Sequence, residues 1–172
     1  MKRRSLIISL VLAVLLTVTL VTPALAAKPV PFAAAGTITY ITPGDVFPAG
    51  NSGRFVVAER ELGGSIAGSI NGDFALTYKA NVELATQAGA LHGTLYAGGY
   101  EFKVNGQIEP IVLVPVGEYL LPMLVINGKW SFKGTQGNGD FGAYVVFIPT
   151  PDGHVGWIVD SGFAMTGKWS GG

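Results

Sequence analysis

One pentad occurs four times in this chain, and it restricts the fold more than any other feature. Its pattern is apolar, Asn or Thr, Gly, polar, apolar. The copies are Ile70-Asn71-Gly72-Asp73-Phe74, Val104-Asn105-Gly106-Gln107-Ile108, Ile126-Asn127-Gly128-Lys129-Trp130 and Met165-Thr166-Gly167-Lys168-Trp169. Asn-Gly can form the two-residue loop of a hairpin, because both residues tolerate positive φ. It can also lie inside a long strand, where Gly relieves crowding as a sheet bends. The last copy, followed here by Ser170, Gly171 and Gly172, reads as one strand passing through Gly167. In that reading Met165, Gly167 and Trp169 share a face, as do Ile126, Gly128 and Trp130, because side chains alternate with period two. A Gly between two large inward side chains is what a tightly curved sheet requires. Four ordinary hairpin turns are the alternative.

The rest of the chain carries the same rhythm. Between Leu62 and Leu84, Ile70, Phe74, Leu76, Tyr78 and Val82 share one parity, and Asp73, Thr77, Lys79, Asn81 and Glu83 the other. One face is therefore buried and the other wet, as in an antiparallel sheet. Further strands are expected at Gly36–Thr42, Gly53–Glu61, Ala90–Ala97, Tyr100–Ile108, Met123–Lys133, Asp140–Ile148 and Val155–Trp169. Gly98-Gly99 is a tight turn, and turns are also expected over Gly134–Gly139 and at Asp152-Gly153. No amphipathic helix is legible. About eight strands with short connections predict an all-β fold, a single closed or nearly closed antiparallel barrel, with a β-sandwich as the alternative.

The first 26 residues read as an export signal. Lys2, Arg3 and Arg4 precede an apolar run from Leu6 to Val21, and Ala24-Leu25-Ala26 is a small-residue cleavage site. The apolar run is shorter than the ~20 residues that a membrane span needs. Residues 27–35, rich in Ala and Pro, read as an extended leader, and the barrel domain is expected over 36–172. The address is secretion or the cell envelope, with the membrane met only through the signal segment. There is no Cys, so no disulfide can form. Taking Lys2, Arg3 and Arg4 from the 11 basic residues leaves 8 against 11 acidic, a net charge of −3. That balance, with no basic cluster outside the signal, argues against a nucleic-acid partner.

The chemistry-bearing residues are sparse. His92 and His154 have no second His or Cys at ligand spacing, so no metal is expected, and no cofactor motif is present. None of the serines sits in a Gly-x-Ser-x-Gly elbow. Strand parity places Glu59 inward beside Phe55 and Val57, where apolar walls would raise its pKa and let it move a proton. The alternative for Glu59 is a structural ion pair. Tyr78 is inward by parity and could orient a ligand or simply pack. Phe74, Tyr78, Phe102, Trp130, Trp157, Phe163, Met165 and Trp169 are the inward set that would wall an apolar pocket or fill a core. The apolar stretch 111–126, interrupted by Pro115, Gly117, Glu118 and Pro122, is either a buried strand with a capping loop or a patch for self-association into a homo-oligomer.

The run Gly36 to Thr42, then Glu59-Arg60, then Gly68-Ser69-Ile70-Asn71-Gly72 leading to Tyr78, then Gly89-Ala90-Leu91-His92-Gly93-Thr94, resembles the bacterial barrels similar to allene oxide cyclase. The resemblance implies an eight-stranded antiparallel barrel, often oligomeric, with an apolar cavity. It transfers no catalytic residue to this chain. The expected function is binding of a small apolar ligand or a partner at the barrel mouth. The alternatives are an isomerase or cyclase using Glu59 and Tyr78, and a self-associating envelope protein.

Overall fold

The computed structural model describes residues 28–132, 137–151 and 154–170. The export-signal reading, the Asp152-Gly153 turn and most of the turn before Gly139 lie outside them. The described residues hold ten strands and no helix: β1 Val30–Ile41, β2 Asp45–Pro48, β3 Arg54–Gly68, β4 Gly72–Glu83, β5 Gly89–Ala97, β6 Tyr100–Ile108, β7 Val112–Val116, β8 Tyr119–Phe132, β9 Gly137–Pro149 and β10 Val155–Trp169. Their order in the sheet is β1-β10-β9-β8-β6-β5-β4-β3, and β1 also pairs with β3, which closes an eight-stranded antiparallel barrel. The two short strands lie off this ring: β2 pairs with β3 and β7 with β8. Gly98 and Gly99, at φ 56° and 83°, form the two-residue loop between Ala97 and Tyr100 that closes the β5–β6 hairpin.

The pentads explain how so small a barrel closes. Gly106, Gly128 and Gly167 lie within β6, β8 and β10, with Gly106 directly across from Gly128. On the next strand Phe141 lies across from Gly128, and a Cβ built at Gly128 would lie 2.6 Å from Phe141 Cε1. A second row runs Phe32, Gly167, Gly139, Trp130 around the wall. Cβ atoms at Gly139 and Gly167 would each come within 2.7 Å of the Trp130 indole. The absent side chains are therefore the space that the rings fill, the alternation of small and large residues that a tapered barrel interior needs. Trp130 donates its indole N–H to Thr166 O at 3.0 Å and packs 4.9 Å from the Phe32 ring centroid, so its polar edge is satisfied within the core. The fourth copy differs. Gly72 opens β4 at φ 124°, just after the β3–β4 turn, while Phe74 beyond it still points into the core.

Residues 30–35 are wall rather than leader. They pair with Ala164–Trp169 of β10, and Phe32 and Ala34 are buried. The Ala and Pro content masks an ordinary alternation, with Phe32 and Ala34 inward and Pro31, Ala33 and Ala35 outward. The stretch 111–126 is a hairpin, β7 with the first half of β8, around the turn Gly117-Glu118. Val116 and Tyr119 flank that two-residue turn and so form its hydrogen-bonded pair. Backbone groups of residues 113 and 115 then face away from β8, and Pro115 has no N–H to offer there. An outer edge guarded by proline resists pairing with another strand.

Candidate functional site at the open rim of the barrel

The barrel does not close evenly. Pairing of β1 with β10 ends at Gly36 and Phe163, after which β1 continues with β3 alone and β10 with β9 alone. A seam opens between residues 37–41 and 155–162. Ser161 bridges its lower end, accepting from Ile38 N at 3.0 Å and donating to Ile38 O at 2.7 Å. Above that point lies a groove of about 360 Å³ lined by Thr39, Tyr40, Ile41 and Val155–Ile158. A broader groove of about 500 Å³ continues from Tyr40 across the outer face to Tyr96, with Ser65, Asp73 and Ala75 between them. Tyr40 donates its hydroxyl to Glu61 Oε1 at 2.5 Å, and this bond to the carboxylate, more than burial, pushes its pKa above the ordinary tyrosine value.

Four register shifts shape the rim, one at Thr39 in β1, one between Val57 and Arg60 in β3, and two along the start of β10. Each reverses the parity beyond it. In β10 the shifts lie between Val155 and Trp157 and between Ile158 and Asp160. The latter turns Ile158 toward the core and leaves Trp157 73% exposed beside the seam. Trp157 is thus not an inward residue. The other seven of the expected lining set, Phe74, Tyr78, Phe102, Trp130, Phe163, Met165 and Trp169, are buried together in one cluster. They pack against one another, with Phe74 stacked on Phe163 at 4.5 Å and Phe102 edge-on to Trp130 at 5.5 Å, so they fill the barrel centre rather than wall a pocket.

The shift in β3 corrects the placement of Glu59. That residue forms the bulge, at φ 55°, and its side chain is exposed. A non-Gly residue in this region costs about 1–2 kcal/mol. The residue delivered inward instead is Arg60, directly across from the buried Tyr78. Arg60 donates Nε and Nη2 to the same acceptor, Pro43 O, at 2.9 and 2.7 Å. Gly44, at φ 67°, packs over it, since a Cβ there would lie 3.0 Å from Arg60 Cβ. Tyr78 is 2% exposed, and its Oη has no hydrogen bond of acceptable geometry. Burial pushes its pKa up, and the Arg60 guanidinium nearby only partly offsets that. Glu61, on the far side of Arg60 in sequence, faces outward to Tyr40 and Thr77. Arg60 is the site residue that parity misses. Its signal is the run Glu59-Arg60-Glu61, three charges in succession that no unbroken period-two strand can keep out of the core.

Among the described residues no group of three or more His, Cys, Asp or Glu side chains is placed to hold a metal ion. No helix among them is long and apolar enough to cross a membrane. No family model, curated protein or solved structure matches the chain.

Proposed function

We propose that this protein is an exported binding module that holds a small, partly apolar ligand at the seam between β1 and β10. The observation that carries this reading is the groove of residues 39–41 and 155–158, with Trp157 standing exposed beside it and Tyr40 opposite. A large indole left in water next to a concave wall supplies apolar contact area to a ligand at low entropic cost. The filled barrel centre counts against a ligand held in the interior, so the reading rests on the rim alone. The isomerase alternative relied on an inward Glu59 as proton handler, and the bulge turns that side chain outward. Export rests on the basic and apolar segments at residues 2–26. Native mass spectrometry of protein secreted by its own host tests the proposal. A bound small molecule in the wild type that is missing from Trp157→Ala is the expected result, and bare protein mass in both refutes it.

A second reading, self-association, rests on the β7–β8 hairpin, where Leu113 is 62%, Tyr119 73% and Leu120 64% exposed. With Pro115 on the outer edge, such contact would run through these side chains rather than through strand pairing.

A further inference from the structure

We propose that the ligand of the rim is an organic anion, a carboxylate with an apolar body, received by Arg60 and the Tyr78 hydroxyl. The inference deepens the rim-binding reading and rests on it. Three features converge. First, the strained bulge at Glu59 exchanges an inward carboxylate for an inward guanidinium, so the sequence position that parity assigns to an acid presents a base. Second, Tyr78 Oη is buried and makes no hydrogen bond of acceptable geometry; the Arg60 guanidinium close to it can only donate, which leaves the hydroxyl proton without an acceptor, a cost that calls for an explanation. Third, the charged group that acts on it is the guanidinium of Arg60, directly across the ladder, which only donates. A phenol O–H beside a guanidinium lacks an acceptor, and neither neighbouring acid supplies one: Glu59 is exposed and Glu61 is engaged outside the barrel with Tyr40 and Thr77. The chemical complement of two adjacent donors is an acceptor of negative charge.

Pro43 O occupies part of that role in the structure. It takes two N–H bonds from one edge of the Arg60 fork, the edge that a carboxylate would take with two oxygens. Pro43 lies two residues beyond Ile41, which lines the seam groove and packs against the core. Arg60 and Tyr78 lie beyond the lining of the seam groove, so a carboxylate entering along it would reach Arg60 only by displacing the Pro43 carbonyl, which would bring an oxygen toward the Tyr78 hydroxyl. Its apolar body would remain against Ile41, Ile158 and Trp157. No covalent step is involved.

Octanoate and 1-octanol, which share a chain and differ in the head group, provide the test by isothermal titration calorimetry on the full exported chain at fixed ionic strength. Octanoate is expected to bind at least about tenfold more tightly than octanol, the worth of one charge-assisted contact. Tyr78→Phe should lower octanoate affinity by about tenfold and leave octanol unchanged. Arg60→Lys, which keeps the charge but not the fork, should fall between wild type and Tyr78→Phe in its preference for the anion. Equal affinity for the two probes, with both lost in Trp157→Ala, overturns the anion inference and leaves the rim reading standing. Binding of neither probe overturns the inference too, and the native mass measurement then decides the rim reading separately. An octanoate preference unchanged in Tyr78→Phe and Arg60→Lys also overturns it, since the head group would then be held elsewhere.

Discussion

Replacing Tyr78 by Phe should make the unliganded protein more stable. The ring of Tyr78 is buried in the core and its Oη is desolvated without a hydrogen bond. An unsatisfied buried polar group costs about 1–3 kcal/mol, and deleting it while keeping the ring removes that cost without opening a cavity. The nearby Arg60 charge returns a share through attraction to the phenol oxygen. A net gain of about 1 kcal/mol is therefore expected, or about 3 °C in Tm for a domain of this size. Urea unfolding of both proteins at pH 7 gives the comparison, read as a shift in midpoint at constant m. The alkaline limb adds an independent check. Tyr78 has a folded pKa above its unfolded value near 10. Below pH 10 both states hold the proton and stability is level. Above pH 10 the unfolded chain ionises first, so stability falls as pH rises from there through the folded pKa. Tyr78→Phe should lose that part of the slope, and its advantage over the wild type should widen above pH 10. A loss of about 0.5–1.5 kcal/mol in the variant at pH 7 is the worth of an ordinary hydrogen bond. It would show that Arg60 already satisfies the hydroxyl and would refute the argument.

Four further outcomes concern the glycines, the seam and the exposed hairpin. Gly128→Ala and Gly139→Ala should each cost about 1–3 kcal/mol in urea, because the new methyl meets Phe141 or Trp130 as well as backbone across the ladder. Gly142→Ala, where a Cβ would meet only the Asn127 side chain at 3.3 Å, should lie within about 0.5 kcal/mol of wild type. Ser161→Ala removes both bonds to Ile38 and should cost about 1–2 kcal/mol, with faster amide exchange at Ile38 reporting the wider seam. If the hairpin mediates self-association, Leu120→Glu should yield a monomer in analytical ultracentrifugation at concentrations where the wild type associates; identical sedimentation of the two would remove the hairpin from consideration.

How far the sequence discloses the fold depends on which part of the barrel is considered. The lower half is legible because its determinants are local. In β4, β5 and β6, strict alternation survives from end to end, and in the pentads a Gly two residues before a Trp or Ile already implies a ring needing room. What the pentad does not contain is the identity of that ring. Gly128 accommodates Phe141, and Gly139 and Gly167 accommodate Trp130, so each vacancy and its occupant lie on different strands and are matched only once the register is set. The rim is less legible for a related reason. The bulges gather at the end of the barrel where β1 has parted from β10, a divergence between segments more than a hundred residues apart. One inserted residue then reverses every assignment beyond it. Glu59 and Arg60 exchange places, and Trp157 passes from core to solvent. The two reversals fall at the same end of the barrel as the buried hydroxyl without a partner. Local pattern and global structure disagree at that rim, and such disagreement tends to gather where a protein gives up stability for use. The regular half of the barrel, where pattern and packing agree throughout, is accordingly read as scaffold.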